Sequence, residues 1–325
     1  MSKVFEFRLS GRSFFPVFIA FYVPLAVLTG LSSAWSVRTV VTGSAASFWP
    51  SLVVALLTIL LYVFIAIPFL RILVPALSLD GSPFTFRGSI GRFVGMNLLG
   101  LLLSIITIGI YTPWFVARVM RYLTGETGWK DKRIEFAGKG GRLFVILLLT
   151  VVLPAVVIAV ALAIVIYVVL AVGVDSPAAY ARSTQFITFL LVLLILPAYL
   201  YEFYRWLLTN LRIGDYGIRW NTRFWRSVGF IYLQLLLTVV TLSVYWPAAW
   251  VRGYRYFATR SDVTLQDGVY GSVRFGGTPA GGFGLLWGQT LLSIVTLGIY
   301  IPWAAAKVGK WVAGNTTVEN AESAG

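Results

Sequence analysis

The sequence has 325 residues, of which 58% are hydrophobic and 12% charged, whereas a soluble domain carries about a quarter charged residues. This composition excludes an ordinary soluble protein and predicts an integral membrane protein. Because the chain contains no cysteine and no histidine, it also excludes thiol or imidazole catalysis, disulfides, and thiolate or histidine metal sites. The acidic residues are few and scattered, so we expect no metal and no cofactor.

The formal net charge is +14, a value that in a soluble protein would suggest nucleic-acid binding. In a membrane protein the same excess predicts basic residues held on the cytoplasmic side, beside anionic lipid. We therefore expect the lipid bilayer with anionic lipids as the partner, and no nucleic acid.

The chain begins with a strand-like lead-in that contains Arg8 and Arg12 and precedes an apolar run. Two arginines at this place resemble the start of a secretory signal peptide. The same lead-in recurs inside the chain, at 84–93 and 134–144, and a cleaved peptide would have no reason to match interior segments. We therefore expect the segment to remain in the mature protein.

Two pairs of long apolar segments are near the roughly 20 residues that cross a bilayer. The first pair runs from Phe14 to Leu31 and from Phe48 to Leu73, joined by a polar loop at 32–47. The second pair runs from Arg142 to Val172 and from Phe186 to Leu208, and its loop carries Asp175 and Arg182.

Three compact units are also apolar, at 90–123, 224–257 and 283–312. Each contains the motif Thr-x-(Gly/Ser)-(Ile/Val)-Tyr-x-Pro, at 107–113, 241–247 and 296–302. Proline removes a backbone donor and disfavours helix at the preceding residue, so the motif predicts a helix break. The motif residues are Tyr111, Pro113, Trp114, Tyr245, Pro247, Tyr300, Pro302 and Trp303. We interpret them as a helix–turn–helix corner with interfacial aromatic anchors; the alternative is a binding site on broken helices, as in transporters.

Polar connectors separate these segments, and several carry hairpin turn signals such as Asp80-Gly81, Gly214-Asp215 and Asp267-Gly268. If each compact unit crossed the membrane once, its basic connectors would alternate between the two sides, against the positive-inside tendency. If each is instead a helical hairpin or re-entrant segment, all connectors lie on one side. Only Arg38 and Arg182 then lie opposite, which leaves 26 − 2 = 24 basic residues on the cytoplasmic side. We favour this second topology.

Basic residues recur at the fifth and eighth positions after each motif proline, and the last long segment carries Glu202 and Arg205 at the same offsets from Pro197. A spacing of three places each pair on one helix face. The pairs either hold anionic head groups at the interface or line a cationic cavity for an anionic substrate. The candidate binding residues are Arg118, Arg121, Arg252, Arg255, Lys307, Lys310, Glu202 and Arg205.

These features together predict an all-α polytopic membrane protein, an internally duplicated helical bundle with broken or re-entrant helices and short β-hairpin connectors. The expected boundaries are 1–141 for a first membrane repeat and 142–276 for a second one of the same plan. Residues 277–325 would form an extra compact unit and a polar tail.

The combination of an apolar run, Thr-x-Gly-Ile-Tyr-x-Pro-Trp, a basic helix with Arg-Tyr, an Asp-Gly hairpin and Phe-x-Phe-x-Gly resembles the YjgN-like family of bacterial inner-membrane proteins. The resemblance is clearest at 106–136 and 292–311, and it departs at Ser243, Trp246 and Ala248. It implies a multi-pass protein of the bacterial inner (cytoplasmic) membrane and adds no catalytic residue, because the family has no assigned activity.

The expected function is a transporter or channel-like role for a small or lipid-like anionic solute. The alternative is a non-catalytic scaffold that binds anionic lipid or a protein partner through a basic cytoplasmic face. We expect no enzymatic activity and name no catalytic residue, because the chain lacks histidine, cysteine and paired carboxylates on one span.

Overall fold

The fold is built on ten short strands that close into one antiparallel barrel. The computed structural model describes residues 3–42, 48–171, 177–266 and 268–320. Along the barrel wall the strand order is β1-β10-β9-β8-β7-β6-β5-β4-β3-β2. The strands are β1 (Lys3–Phe7), β2 (Leu77–Leu79), β3 (Ser82–Phe86), β4 (Thr127–Trp129), β5 (Lys132–Phe136), β6 (Leu211–Ile213), β7 (Tyr216–Trp220), β8 (Ser261–Leu265), β9 (Gly268–Phe275) and β10 (Thr316–Asn320).

Helices occupy the intervals between alternate strands. They are α1 (Gly11–Thr42), α2 (Phe48–Ala76), α3 (Ile90–Ile106), α4 (Thr112–Gly125), α5 (Gly140–Leu147), α6 (Leu153–Ala171), α7 (Pro177–Thr209), α8 (Phe224–Val240), α9 (Trp246–Ala258), α10 (Pro279–Val295) and α11 (Ile301–Gly314). A π-helical turn, Leu148–Val152, joins α5 to α6.

The order strand, helical hairpin, strand occurs five times along the described chain. In each case the two strands that flank a helical hairpin pair with each other in antiparallel fashion, as β3 does with β4. Because neighbouring strands alternate in direction, every helical hairpin leaves the barrel from one end, and every β-turn lies at the other. The helices pack side by side around this axis, and α1 closes their ring against α11.

The predicted all-α bundle is wrong, because the connectors are strands of one closed barrel. The short β-hairpin connectors that the sequence predicts do form, but each hairpin also pairs with its neighbours: β3 hydrogen-bonds to β4, and β5 to β6. Closed barrels satisfy every strand edge, which is how strands of only three to eight residues are stabilised here.

Left-handed backbone conformations form the β-turns at the far end of the barrel. Asp80 and Gly81 have φ of 53° and 72°, as a two-residue hairpin with a type I′ turn requires. Lys130, Gly214 and Gln266 take the same region at the other three turns. Asp267 of the last turn lies outside the described residues.

The helical hairpins are of two lengths. Among the described residues, the long pairs α1–α2 and α5–α7 include three stretches that are long and apolar enough to cross a membrane, Gly11–Thr39, Trp49–Ala76 and Gly140–Ile164. The other hairpins have helices of 13 to 17 residues. Their tips are apolar and open, with Ile108, Leu242 and Leu297 being 92%, 89% and 78% exposed. Such tips suit a hydrocarbon environment.

Residues 32–42, which we expected in a polar loop, belong to α1, which continues to Thr42. Ser36 and Thr39 donate side-chain hydrogen bonds to the carbonyls of Ser32 and Trp35, at 2.9 and 2.8 Å. These bonds satisfy the hydroxyls inside the helix and remove the polar cost of continuing it. Residues 43–47, as well as Asp175, lie outside the described residues.

Aromatic residues form the core where the barrel meets the helices. Each strand that precedes a helical hairpin ends in an aromatic residue: Phe7, Phe86, Phe136, Trp220 and Phe275. Three of these rings are covered by a glycine two residues later, Gly88, Gly138 and Gly277, where a Cβ atom would lie 2.3–2.5 Å from the ring. The Phe-x-Gly pattern is therefore a packing requirement that fixes the angle between strand and helix.

Candidate functional site

The barrel encloses a cavity of about 1100 Å³. All ten strands contribute to its wall, so the cavity is the lumen of the barrel. Alternate residues of a strand face the same side, which places mostly apolar side chains inward. Inward-facing wall residues include Phe5, Leu79, Phe86, Trp129, Ile134, Ile213, Ile218, Val263, Val273 and Val318.

The lumen continues between the helices. Leu200, Tyr204 and Leu208 of α7 line it, as do Trp250 and Tyr254 of α9. Leu200 and Trp250 precede their helix ends by about nine and eight residues, which corresponds to roughly 12–14 Å at 1.5 Å per residue. The cavity therefore extends from the barrel into the apolar helical layer.

One buried indole group, that of Trp220, lies where the barrel meets the helical layer. Trp220 lines the lumen, stacks on Phe257 at 5.0 Å between ring centroids, and is 9% exposed. Its indole N–H donates to no group among the described residues, and the same holds for Trp206. Trp129, in contrast, donates its N–H to the carbonyl of Ser82 at 3.2 Å.

The turn end of the lumen carries charge and aromatic rings. The ammonium group of Lys3 lies 5.9 Å from the ring centroid of Tyr216 and 5.1 Å from that of Tyr270. Lys132 lies 5.4 Å from the Tyr216 centroid, and its ammonium group is 3.7 Å from a carboxylate oxygen of Asp215. We call Lys3, Lys132, Tyr216 and Tyr270 the mouth.

The predicted basic residues lie elsewhere. Arg118, Arg121, Arg252, Arg255, Lys307 and Lys310 are all exposed, and none of them lines the lumen. Glu202 and Arg205 pair with each other on α7 at 3.8 Å and do not line it either. The structure therefore brings together lumen residues that the basic spacing did not indicate.

The motif residues lie in the turns of the three short hairpins. Tyr111, Tyr245 and Tyr300 directly precede α4, α9 and α11, and the motif prolines are the second residues of these helices. The side chain of the basic residue five places after the proline contacts the motif tyrosine of the same hairpin. Arg252 donates to the hydroxyl of Tyr245 at 2.5 Å, and the guanidinium of Arg118 lies 6.0 Å from the ring centroid of Tyr111.

No group of three or more Asp or Glu residues that could hold a metal ion exists in the described part of the chain.

A family model described as "Bacterial protein of unknown function (DUF898)" matches the sequence at residues 81–188, 143–272 and 270–323. These three stretches cover most of the chain and include eight of the ten described strands, β3 to β10. The chain belongs to this family. Its DUF898 matches also agree with the YjgN-like resemblance of the compact units.

Curated relatives of this DUF898 protein carry the name "Inner membrane protein YjgN". The Escherichia coli K12 protein is 35% identical over 68 residues, and the Salmonella typhimurium LT2 protein is 31% identical over the same length. Each match covers 21% of this chain and 17% of the relative. No solved structure matches the chain. Together with the apolar helices, these relatives place the protein in the bacterial inner membrane.

Sequence reasoning missed the mouth of this DUF898 protein. The alternation of Lys3, Phe5 and Phe7 could have indicated a strand with one face inward. Tyr216 and Ile218 repeat the same alternation. Nothing in the sequence, however, shows that strands so far apart in the chain face one lumen.

Proposed function

We propose that this inner-membrane protein binds a lipid-like amphiphile in its barrel lumen and passes it between the bilayer and the mouth, without a chemical step. The observation that carries the proposal is the apolar cavity of about 1100 Å³ shared by the barrel and the helical layer. Its volume is at the upper end of the roughly 300–1,000 Å³ typical of ligand sites. It therefore has room for a long hydrocarbon chain.

The apolar lining supports a lipid-like solute. A hydrocarbon chain that moves from the bilayer into an apolar lumen exchanges one apolar environment for another, so the transfer is nearly neutral. A small hydrophilic anion would instead leave water for a wall of Phe5, Ile134, Ile213 and Val273, at a cost of several kcal/mol. The apolar lumen thus favours a lipid-like solute over a small inorganic anion.

The proposed orientation places the barrel and its turns on the cytoplasmic side. All helical hairpins leave the barrel from one end, so they enter the membrane together. The long pairs α1–α2 and α5–α7 would cross it, and the shorter hairpins would enter without crossing, since a helix of 17 residues is about 25 Å long. This orientation keeps the excess of Lys and Arg residues on the cytoplasmic side, in agreement with the positive-inside tendency.

A lumen-filling substitution tests the proposal. Val273 lines the lumen, whereas Val269 of the same strand β9 is 43% exposed and does not line it. Val273→Trp would fill part of the cavity, and Val269→Trp is the matched control with the same change outside. Both variants and the parent protein would be purified in nanodiscs made from the bacterial lipids, and bound lipid would be identified by native mass spectrometry after release from the disc.

We expect the parent and Val269→Trp to retain a stoichiometric amphiphile and Val273→Trp to lose most of it. Equal lipid retention in a folded Val273→Trp protein would contradict the proposal. So would a parent protein that retains no amphiphile.

A scaffold that grips anionic lipid from outside is the second candidate, and one observation favours it. Arg121, Arg255 and Lys310 are exposed and lie about one turn before the ends of α4, α9 and α11, close to the barrel. If the hairpins enter the membrane from the barrel side, these three residues lie at the level of the lipid head groups. Replacing the three residues by Gln would weaken association with anionic lipid in this case and leave lumen binding unchanged.

A further inference from the structure

Lys3 reaches across the opening of the barrel. It belongs to β1, whereas Tyr216 belongs to β7, four strands away along the wall of ten. A lysine ammonium group within 5.9 Å of that ring centroid cannot point outward from β1, so the side chain crosses the lumen opening. Lys132, from β5, approaches the same ring from another part of the wall.

We infer that the mouth is a head-group site: Lys3, assisted by Lys132, binds the carboxylate or phosphate of an anionic amphiphile whose hydrocarbon chain lies in the lumen. The inference rests on the proposed function, and it names the chemical class of the ligand and the residues that select it.

The charge of Lys3 is left uncompensated within the described part of the chain. No carboxylate of these residues lies within ion-pair distance of its ammonium group; its neighbours are the rings of Tyr216 and Tyr270, which pack edge to face at 5.2 Å. Aromatic rings attract a cation but carry no net charge. The ammonium group is therefore held in place and still available to an anion.

The apolar wall adjoining the mouth strengthens this preference. Phe5, on the same strand as Lys3, and Leu79, on the neighbouring strand β2, line the lumen with apolar surface. An ion pair formed beside such a wall is screened less than one on an open surface. The two tyrosine hydroxyls add donors, since neither makes a hydrogen bond among the described residues.

Asp215 is expected to lower the affinity of the mouth for an anion. Its carboxylate lies 3.7 Å from the ammonium group of Lys132 and partly satisfies that charge, so Lys3 is the main anion-binding residue. Removing the Asp215 charge should free Lys132 and increase affinity for an anion. A gain of binding is a strong test, because a misfolded variant would not produce it.

The experiment compares probes that share one chain and differ in the head. Hexadecanoate, hexadecyl phosphate and hexadecanol, each brominated along the chain, would be added to the protein in nanodiscs of zwitterionic lipid. Bromine quenches the fluorescence of tryptophan, and Trp129, Trp220 and Trp250 line the lumen. The variants are Lys3→Gln and Asp215→Asn, with Lys139→Gln as the control, an exposed lysine at the start of α5 that does not line the lumen.

We expect both anionic probes to bind about tenfold more tightly than hexadecanol, the scale of one charge-assisted contact. Lys3→Gln should remove most of that difference without changing hexadecanol binding, Asp215→Asn should increase it about threefold, and Lys139→Gln should leave it unchanged. Equal affinity for the three probes in the parent, or an unchanged preference in Lys3→Gln, would overturn the head-group site and leave the lumen proposal standing.

Two outcomes separate the sources of failure. If no probe quenches the parent protein and Val273→Trp changes nothing, the proposed function itself fails. If inorganic phosphate displaces the anionic probes at equal concentration, the site takes a free anion, and the amphiphile assignment is overturned.

Discussion

The ammonium group of Lys307 donates a hydrogen bond to the hydroxyl of Tyr300 at 2.9 Å, from seven residues along the chain. Tyr300 in turn donates to the side-chain carbonyl of Gln289 at 3.1 Å, so three side chains join both helices of the last hairpin. The hairpin of α8 and α9 has the same series of side-chain hydrogen bonds: Arg252 donates to Tyr245, and Tyr245 donates to Gln234. In the hairpin of α3 and α4 the position of the glutamine is occupied by Gly100, and Phe115 fills the space.

Removing the Tyr300 hydroxyl should destabilise the last hairpin. Tyr300→Phe loses the bonds to Lys307 and Gln289 and leaves the Gln289 carbonyl unpaired, so we expect the free energy of unfolding to fall by about 1–3 kcal/mol. Thermal unfolding in detergent would measure the change. Tyr111→Phe is the matched control, because the Tyr111 hydroxyl makes no hydrogen bond among the described residues; a loss as large in that variant would contradict the role assigned to the bonds.

Gly100 should tolerate no side chain while Phe115 is present. A Cβ atom at Gly100 would lie 2.1 Å from the Phe115 ring, so Gly100→Ala should lower the free energy of unfolding by about 1–3 kcal/mol through overpacking. Gly95 of the same helix has open space around its Cβ position. Gly95→Ala should therefore be neutral or stabilising by up to about 1 kcal/mol, through helix propensity.

The double variant Gly100→Gln with Phe115→Ala should recover stability lost by Gly100→Ala. It would restore the glutamine–tyrosine contact of the other two short hairpins. A double variant less stable than Gly100→Ala alone would show that the two positions are not exchangeable in this way.

Ser243 holds a backbone conformation that suits glycine. Its φ is 68°, whereas the equivalent positions of the other short hairpins are Gly109 and Gly298, with φ of 83° and 89°. We expect Ser243→Gly to raise the free energy of unfolding by about 1 kcal/mol, because the strain on the Cβ atom is relieved.

The reverse change, Gly109→Ser, isolates the backbone cost. A Cβ atom at Gly109 would meet nothing within 4 Å, so the loss of about 1 kcal/mol that we expect there has no packing component. Denaturation midpoints of both variants would check the pair. Shifts of the same sign would refute the backbone explanation.

Cysteine labelling should place all β-turns on one side of the membrane. The chain has no cysteine, so single substitutions carry no background. With a membrane-impermeant maleimide, we expect Asp80→Cys and Asp215→Cys to react only in inverted vesicles. Leu242→Cys, at a hairpin tip, should react from neither side, since a tip in hydrocarbon excludes the reagent. Reaction of the two turn positions from opposite sides would sink this topology.

The helix breaks and two β-turns, at Asp80-Gly81 and Gly214-Asp215, could be predicted from the sequence, because they depend on local backbone chemistry. Pro113 takes the second position of α4, where no helical hydrogen bond requires its N–H, and α3 ends at Ile106, before the left-handed Ile108 and Gly109. Asp80-Gly81 has the turn that its two residues favour. These features require no knowledge of distant segments.

The barrel could not be predicted, because its strands carry too little local signal. Strands β2, β4 and β6 have three residues each and begin no more than one residue after a helix, so no run of alternating residues distinguishes them from the last helical turn. Pairing across the barrel also joins residues far apart in sequence, such as Lys3 and Val318.

The candidate site was missed for the same reason. The recurring basic pairs are periodic within one helix and could be seen, whereas the mouth depends on the juxtaposition of Lys3 with Tyr216 and Tyr270. A spacing along the chain carries no information about which strands share a lumen.

The pairing of β1 with β10 has a consequence for biogenesis. The wall of the lumen is complete only when β10 pairs with β1, from the opposite end of the described chain, so ring closure is the most non-local and entropically costly step of barrel folding. Until then β1 and β9 each present an open edge, a surface on which a neighbouring chain can add a strand. A chain that ends before Thr316 would keep those edges, and we would expect it to aggregate or be degraded rather than persist as an open-sided barrel.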